Sequence, residues 1–163
     1  MNKKNGGPSN PEEYRLLEVP GHLMRRCQQR AVELYGQEVG DDGPTPRQFA
    51  VLVTAWQNPG INQTGIVNIT GIDRSTIGEL LGRLVRRGWL RRRRTATDAR
   101  SNALYVTVAG GEIVKQVLPR VNAAQEKIMA PVPPDRRNEF LSYLRRIADL
   151  PGGDGTGTNS DLE

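Results

Sequence analysis

Few residues in this chain have types and spacings that could do chemistry. Cys27 is the single cysteine and His22 the single histidine, so no intramolecular disulfide and no zinc site built on Cys and His can form. Nothing near His22 resembles a nucleophile. No catalytic constellation is visible, and no enzyme, metal or cofactor is expected. What the chain has instead is guanidinium. Residues 89–100 read WLRRRRTATDAR, four consecutive arginines after a Trp–Leu pair, with Asp98 two places before Arg100. Across 73–100, nine arginines face only Asp73, Glu79 and Asp98, a local charge of +6 in a chain of net charge +5. Such a patch is the footprint of a polyanion partner, most often nucleic acid, with a merely solvated charged face as the alternative. A carboxylate beside Arg100 can hold its guanidinium in one pose through charge-assisted hydrogen bonds.

These residues need elements to position them. Leu23, Cys27, Ala31 and Leu34 recur at helical spacing after Pro20-Gly21, so Cys27 reads as a small buried hydrophobe and His22 as a helix-start or surface residue. Thr45, Pro46 and Gln48 form a capping-box signature, with Phe49, Leu52, Val53 and Trp56 as the buried stripe behind it. Asn62 caps a short helix containing Ile66, Val67 and Ile69, Gly71 turns the chain, and Asp73 caps the next helix. Two helices joined by so short a turn predict a helix-turn-helix. The second carries an apolar stripe of Ile77, Leu80, Leu81, Leu84 and Val85, leaving Ser75, Glu79, Gly82 and Arg86 outward, flanked by Thr76 and Arg83. Gly78 and Gly82 suggest close approach to either a phosphate or a neighbouring helix.

Trp89–Thr95 and 102–108 read as paired strands, joined by a protruding loop ATDARS. Helix-turn-helix followed by a hairpin is a winged helix. Gly110-Gly111 separates it from a long helix with Ile113, Val117, Val121, Ala124 and Ile128, expected to kink at Pro119. Asp135 is the expected cap of a last helix with Phe140, Leu144 and Ile147. The apolar faces of the first and last helices exceed what a small winged helix can cover, which predicts a two-fold dimer.

The fold expected is therefore mainly α with a small β-hairpin wing, with helical dimerisation regions from both chain ends. Residues 1–19 are expected to form a mostly disordered arm and 150–163 a disordered tail. Between them, 20–149 form one domain: 20–40 and 109–149 dimerise, and 45–108 are the winged helix-turn-helix. No apolar run reaches the ~18 residues of a membrane span, and the N-terminus lacks a signal-peptide core, so a cytoplasmic protein is expected. The candidate contacts to double-stranded DNA fall into three groups. Arg74, Ser75, Thr76 and Arg83 face the major groove, Arg74 reaching phosphate or guanine. Gln63 and Thr64 bind phosphate at a helix N-terminus. On the hairpin, Arg92 and Arg94 lie along phosphates while Arg100, supported by Asp98, enters the minor groove.

Three stretches, TPRQFAVL, IDRSTIGELLGRLVRRGWLRRRRTATDAR and LYVTVAGGEIV, make the chain resemble the MarR family of bacterial transcription regulators over about residues 20–149. Asp98, Arg100, Thr107 and Gly110 match the family's pattern after the recognition helix. GIVNITG departs from the leucine–alanine pair common in the preceding helix. The resemblance implies a homodimer on a near-palindromic operator, usually repressing. It also implies a small effector, often an aromatic or phenolic anion or its CoA thioester, held between winged helix and dimer helices and changing the spacing of the recognition helices. The effector-binding residues stay unknown. Two other readings remain: an oxidant sensor using Cys27, and a winged-helix interaction module with no DNA role.

Overall fold

A computed structural model of the chain describes residues 10–95 and 98–150, with the side chains of 94–102 outside the described set. The chain divides into two compact units at Gln125/Glu126.

In the first unit, Asn10 caps a 3-10 turn at Pro11–Glu13, and a second turn follows at Leu16–Glu18. Part of the expected disordered arm is thus locally hydrogen-bonded, because the Asn10 side chain accepts from the Glu12 amide. Residues 1–9 and the expected tail from 151 onward lie outside the described residues. Helix α1 runs Pro20–Val39 and ends at Gly40. It buries only Leu34, Tyr35 and Val39. Leu23 and Cys27, placed on a buried stripe by their spacing, are exposed. Periodicity identifies a helix face, but burial needs a partner, and among the described residues nothing buries the side chains at the start of α1.

Helix α2 spans Pro46–Gln57, and its capping box forms as expected between Thr45 and Gln48. Helix α3, Gln63–Thr70, starts at Asn62, whose side chain accepts from the Gly65 amide, and ends at Gly71. Gly71 has φ of +66°, a left-handed conformation that costs side-chain-bearing residues about 1–2 kcal/mol. That residue redirects the chain into helix α4, Arg74–Arg86, capped by Asp73. The core of the unit joins Val51, Leu52 and Ala55 of α2, Ile66 of α3 and Ile77, Leu80, Leu81 and Leu84 of α4.

Strand β1 (Leu90–Thr95) pairs antiparallel with β2 (Asp98–Val106), adding Leu90 and Leu104 to that core. The register runs from Leu90↔Val106 to Arg94↔Asn102 and then jumps to Thr95↔Asp98. Residues 99–101 therefore bulge from β2, and pairing resumes beyond them. The expected six-residue loop is a correction at this point: a bulge absorbs half of it. On the other side, Leu104 exchanges two backbone hydrogen bonds with the connection before α3, at Gly60 and Ile61.

Helix α5 spans Val108–Met129, with Gly110 and Gly111 inside its first turns rather than in a spacer before it. The Thr107 hydroxyl donates to the Gly88 carbonyl at 2.6 Å and accepts from the Gly110 amide at 3.0 Å, tying the helix start to the end of α4. A Cβ on Gly110 would collide with the Trp89 backbone, and one on Gly111 with the Trp56 indole. Trp56 is 44% exposed, against the expectation of a core residue, because it covers Gly111 from outside. A second cluster packs Tyr35 and Val39 of α1 on Val117, Val121 and Ala124 of α5. The helix continues through Pro119.

In the second unit, the end of α5 leads to a 3-10 turn at Pro134–Arg136 and helix α6, Arg137–Ile147. Asp135 lies inside the turn, and α6 has no side-chain cap. Arg137 performs the joining instead, donating to Glu126 at 3.0 Å and to the Val132 carbonyl at 3.3 Å. Phe140, Leu144 and Ile147 are exposed.

Candidate nucleic-acid interface

The starts of α3 and α4 meet. Gln63 Nε2 donates to the Arg74 carbonyl at 3.2 Å, and Arg74 Nη1 donates to Thr64 Oγ1 at 3.4 Å. Three residues singled out for DNA contact on separate grounds therefore form one cluster. Beside them, Asp73 accepts from Ser75 Oγ at 2.6 Å and from the Thr76 amide at 2.9 Å. Hydrogen bonds from Ser75, then from the side chain and amide of Thr76, hold the Asp73 carboxyl well below the usual carboxylate range. Ser75, Glu79, Arg83 and Arg86 are exposed on α4. Arg83 pairs with Glu79 at 3.5 Å, an exposed ion pair worth roughly 0–1 kcal/mol and therefore easily exchanged for a phosphate or a base.

Gly78 meets only the Gln63 side chain and Gly82 only the Arg86 guanidinium, so among the described residues no neighbouring helix backbone explains either glycine. Both instead keep the outer face of α4 low.

On the hairpin, Arg91, Arg92 and Arg93 are exposed. Arg92 is paired with Leu104 on β2. Arg91 and Arg93 flank the Tyr105 ring at 5.6 and 5.7 Å from its centroid, and Arg87 lies 4.8 Å from the Trp89 ring. Three guanidiniums that the sequence reading did not select are thus held on aromatic faces. The signal that could have found them is the register opposing Arg91 to Tyr105, hidden by the bulge. The side chains of Arg94, Asp98 and Arg100 lie outside the described residues.

Two hollows adjoin this surface. One of about 570 Å³ lies between α1, the start of α2 and α4, and its walls include Gln28, Val32, Arg47, Thr76, Glu79 and Arg83. Thr76, expected to face the groove, is half-buried and belongs to this wall. The other, about 380 Å³, is bordered by Trp56, Arg91, Tyr105 and Lys115. Among the described residues no group of three His, Cys, Asp or Glu gathers to hold a metal, and no helix is long and apolar enough to cross a membrane.

The MarR family profile matches residues 45–101, from the α2 cap to the bulge. Solved structures extend the likeness beyond it. PcaV, a transcriptional regulator of Streptomyces coelicolor solved in complex with its natural ligand, is 34% identical, covering 83% of this chain and 96% of its own, with a TM-score of 0.78. The transcriptional repressor CouR, bound to a 23-mer DNA duplex, is 33% identical over 82% of this chain and 94% of its own, with a TM-score of 0.75. BpsR of Bordetella bronchiseptica, whose DNA binding is regulated by 6-hydroxynicotinic acid, is 27% identical over 89% of this chain and all of its own (100%), with a TM-score of 0.81. A helix-turn-helix with an arginine-rich hairpin, matched by profile and by whole-chain likeness, places the chain in the MarR family of winged-helix transcription regulators.

Proposed function

We propose that the protein is a homodimeric, ligand-responsive repressor that binds a pseudo-palindromic DNA site and is released by a small aromatic or phenolic anion, or its CoA thioester. The observation that carries this reading is the meeting of Gln63, Thr64 and Arg74 beside an exposed α4 and an arginine-lined hairpin. Phosphates would be taken by Gln63, Thr64, Arg74, Arg92 and Arg94, bases by Ser75, Thr76 and Arg83, and the minor groove by Arg100 with Asp98 behind it. Half-sites about one DNA turn, or about 10 bp, apart follow from a two-fold axis. The domains divide accordingly, with 45–108 reading DNA and 20–40 and 109–149 dimerising, and the protein acts in the cytoplasm.

The hollow between α1, α2 and α4 is the proposed effector pocket. Arg47 and Arg83 supply positive charge, and Thr76 a hydroxyl. Arg83 and Thr76 also belong to α4, so an anion that engages Arg83 withdraws it from DNA. Effector and DNA then compete through shared residues as well as through spacing. The regulation of BpsR by an aromatic acid supports this class of effector. The test is fluorescence anisotropy with a duplex from the gene's own upstream region, titrated with 6-hydroxynicotinate and benzoate. Wild type should be released. Arg47→Ala, at a residue given no DNA contact, should keep its DNA affinity within about twofold and need roughly tenfold more anion, as loss of one charged hydrogen bond implies. Release of Arg47→Ala at the wild-type concentration removes the pocket from the reading.

Exposure of Cys27 on α1 favours a second reading, oxidant-triggered release. Peroxide should then lower the DNA affinity of wild type and leave Cys27→Ser unaffected. Equal responses exclude it.

A further inference from the structure

Serine ordinarily reads either polarity of base edge, because its hydroxyl both donates and accepts. Ser75 is not free to do so. Its Oγ lies 2.6 Å from Asp73 Oδ1, and an ionised carboxylate has only lone pairs to offer. The hydrogen in that contact is the serine's. Asp73 stays ionised because Ser75 and Thr76 hold its carboxyl well below the usual range. The same oxygen caps α4 through the Thr76 amide at 2.9 Å, so the carboxylate cannot swing away without uncapping the helix. Ser75 is exposed on the outer side of α4, and what it turns outward are lone pairs.

In the major groove, adenine N6 and cytosine N4 donate, whereas guanine O6 and thymine O4 accept. An acceptor-only hydroxyl can bond the first two and not the others. We propose that Asp73 makes Ser75 an acceptor-only reader, so that the strand position it faces is sorted as amino (adenine or cytosine) against keto (guanine or thymine), with no choice inside either class. This rests on the reading of α4 as the helix that enters the groove. Asp73 is a positioning residue here, acting through the serine proton.

The test is selection from a random duplex library by the full-length protein, followed by sequencing, for wild type, Ser75→Ala, Ser75→Thr and Asp73→Gly. Glycine is a tolerated N-cap, so α4 should survive, and a circular-dichroism melt checks that it does. The position whose preference Ser75→Ala flattens identifies where Ser75 sits. In wild type that position should favour A and C over G and T on one strand by roughly three- to tenfold, the range of one hydrogen bond. Ser75→Thr should retain the preference. Asp73→Gly should admit G and T there while other positions stay selective. A Ser75-dependent position that prefers G or T, or separates A from C, overturns the proposal. So does an Asp73→Gly protein that keeps the amino preference, or a Ser75→Ala protein that selects the wild-type site unchanged. A library in which wild type enriches nothing removes the DNA-reading function itself, a distinct outcome.

Discussion

Most residues whose partners lie within a few positions are legible in the sequence, the expected cap Asp135, which lies inside a 3-10 turn, being an exception. Thr45 with Gln48, Asn62 with Gly65, and Asp73 with Thr76 all cap as expected, because a cap is a local geometry fixed by residue type and spacing. Cys27 and Trp56 were misread, because burial depends on residues far along the chain. Gly110 shows the same limit from the other side. Its lack of a side chain is required by Trp89, twenty-one positions earlier, whose backbone a Cβ would strike. Gly110→Ala should destabilise by about 1–3 kcal/mol, the usual cost of overpacking. Gly36→Ala, in a helix with nothing within 4 Å of the added methyl, should stabilise by up to about 1 kcal/mol. Urea midpoints compare the two, and equal shifts would contradict the packing argument.

Tyr35 carries a pH-dependent contribution. Its hydroxyl donates to the buried Pro44 carbonyl at 2.9 Å, and burial pushes its pKa up from 10.0 to about 12. The fold favours the protonated phenol. That contribution is therefore complete below about pH 10 and lost as pH rises through about 12. Tyr35→Phe should cost about 1–3 kcal/mol at neutral pH by orphaning the carbonyl, and should flatten the alkaline fall in stability. Urea denaturation across pH measures both.

At the scale of elements, the helix-turn-helix was recoverable from two caps, one left-handed glycine and an amphipathic stripe. The hairpin was recoverable only in outline. Alternation locates 102–106 but carries the strand too far, since β2 ends at Val106 and Val108 opens α5, and the bulge at 99–101 breaks the period of two, so the start of β2 at Asp98 reads as loop. That error also concealed the stacking of Arg91 and Arg93 on Tyr105. A ring that seats two guanidiniums reduces the freedom they lose on meeting phosphate. Tyr105→Ala should therefore weaken binding to all duplexes alike, by roughly two- to tenfold for two exposed cation–π contacts. Selective loss on the preferred site alone would mean that Tyr105 reads bases instead.

At the scale of the molecule, each unit leaves apolar side chains uncovered: Leu23, Met24 and Val32 on α1, and Phe140, Leu144 and Ile147 on α6. Leu23 and the α6 set belong to stripes visible in the sequence, whereas Met24 and Val32 lie off the expected stripe of α1 and emerge only from the structure. The proposed dimer covers both sets with a second copy. Light scattering should then give twice the chain mass, and Ile147→Asp should shift the protein toward monomer and weaken DNA binding with it. A monomeric wild type would contradict the dimer.

The central claim is that α4 and the arginine hairpin grip the phosphates of a duplex together. It is tested most directly by the salt dependence of binding to one selected duplex, for wild type and for Arg74→Ala. Each neutralised phosphate contributes about −0.9 to the slope of log K against log salt. A symmetric pair should therefore give a steep negative slope, shallower by roughly two in Arg74→Ala, once per protomer. A slope near zero, or no retention of duplex at low salt, would contradict the account.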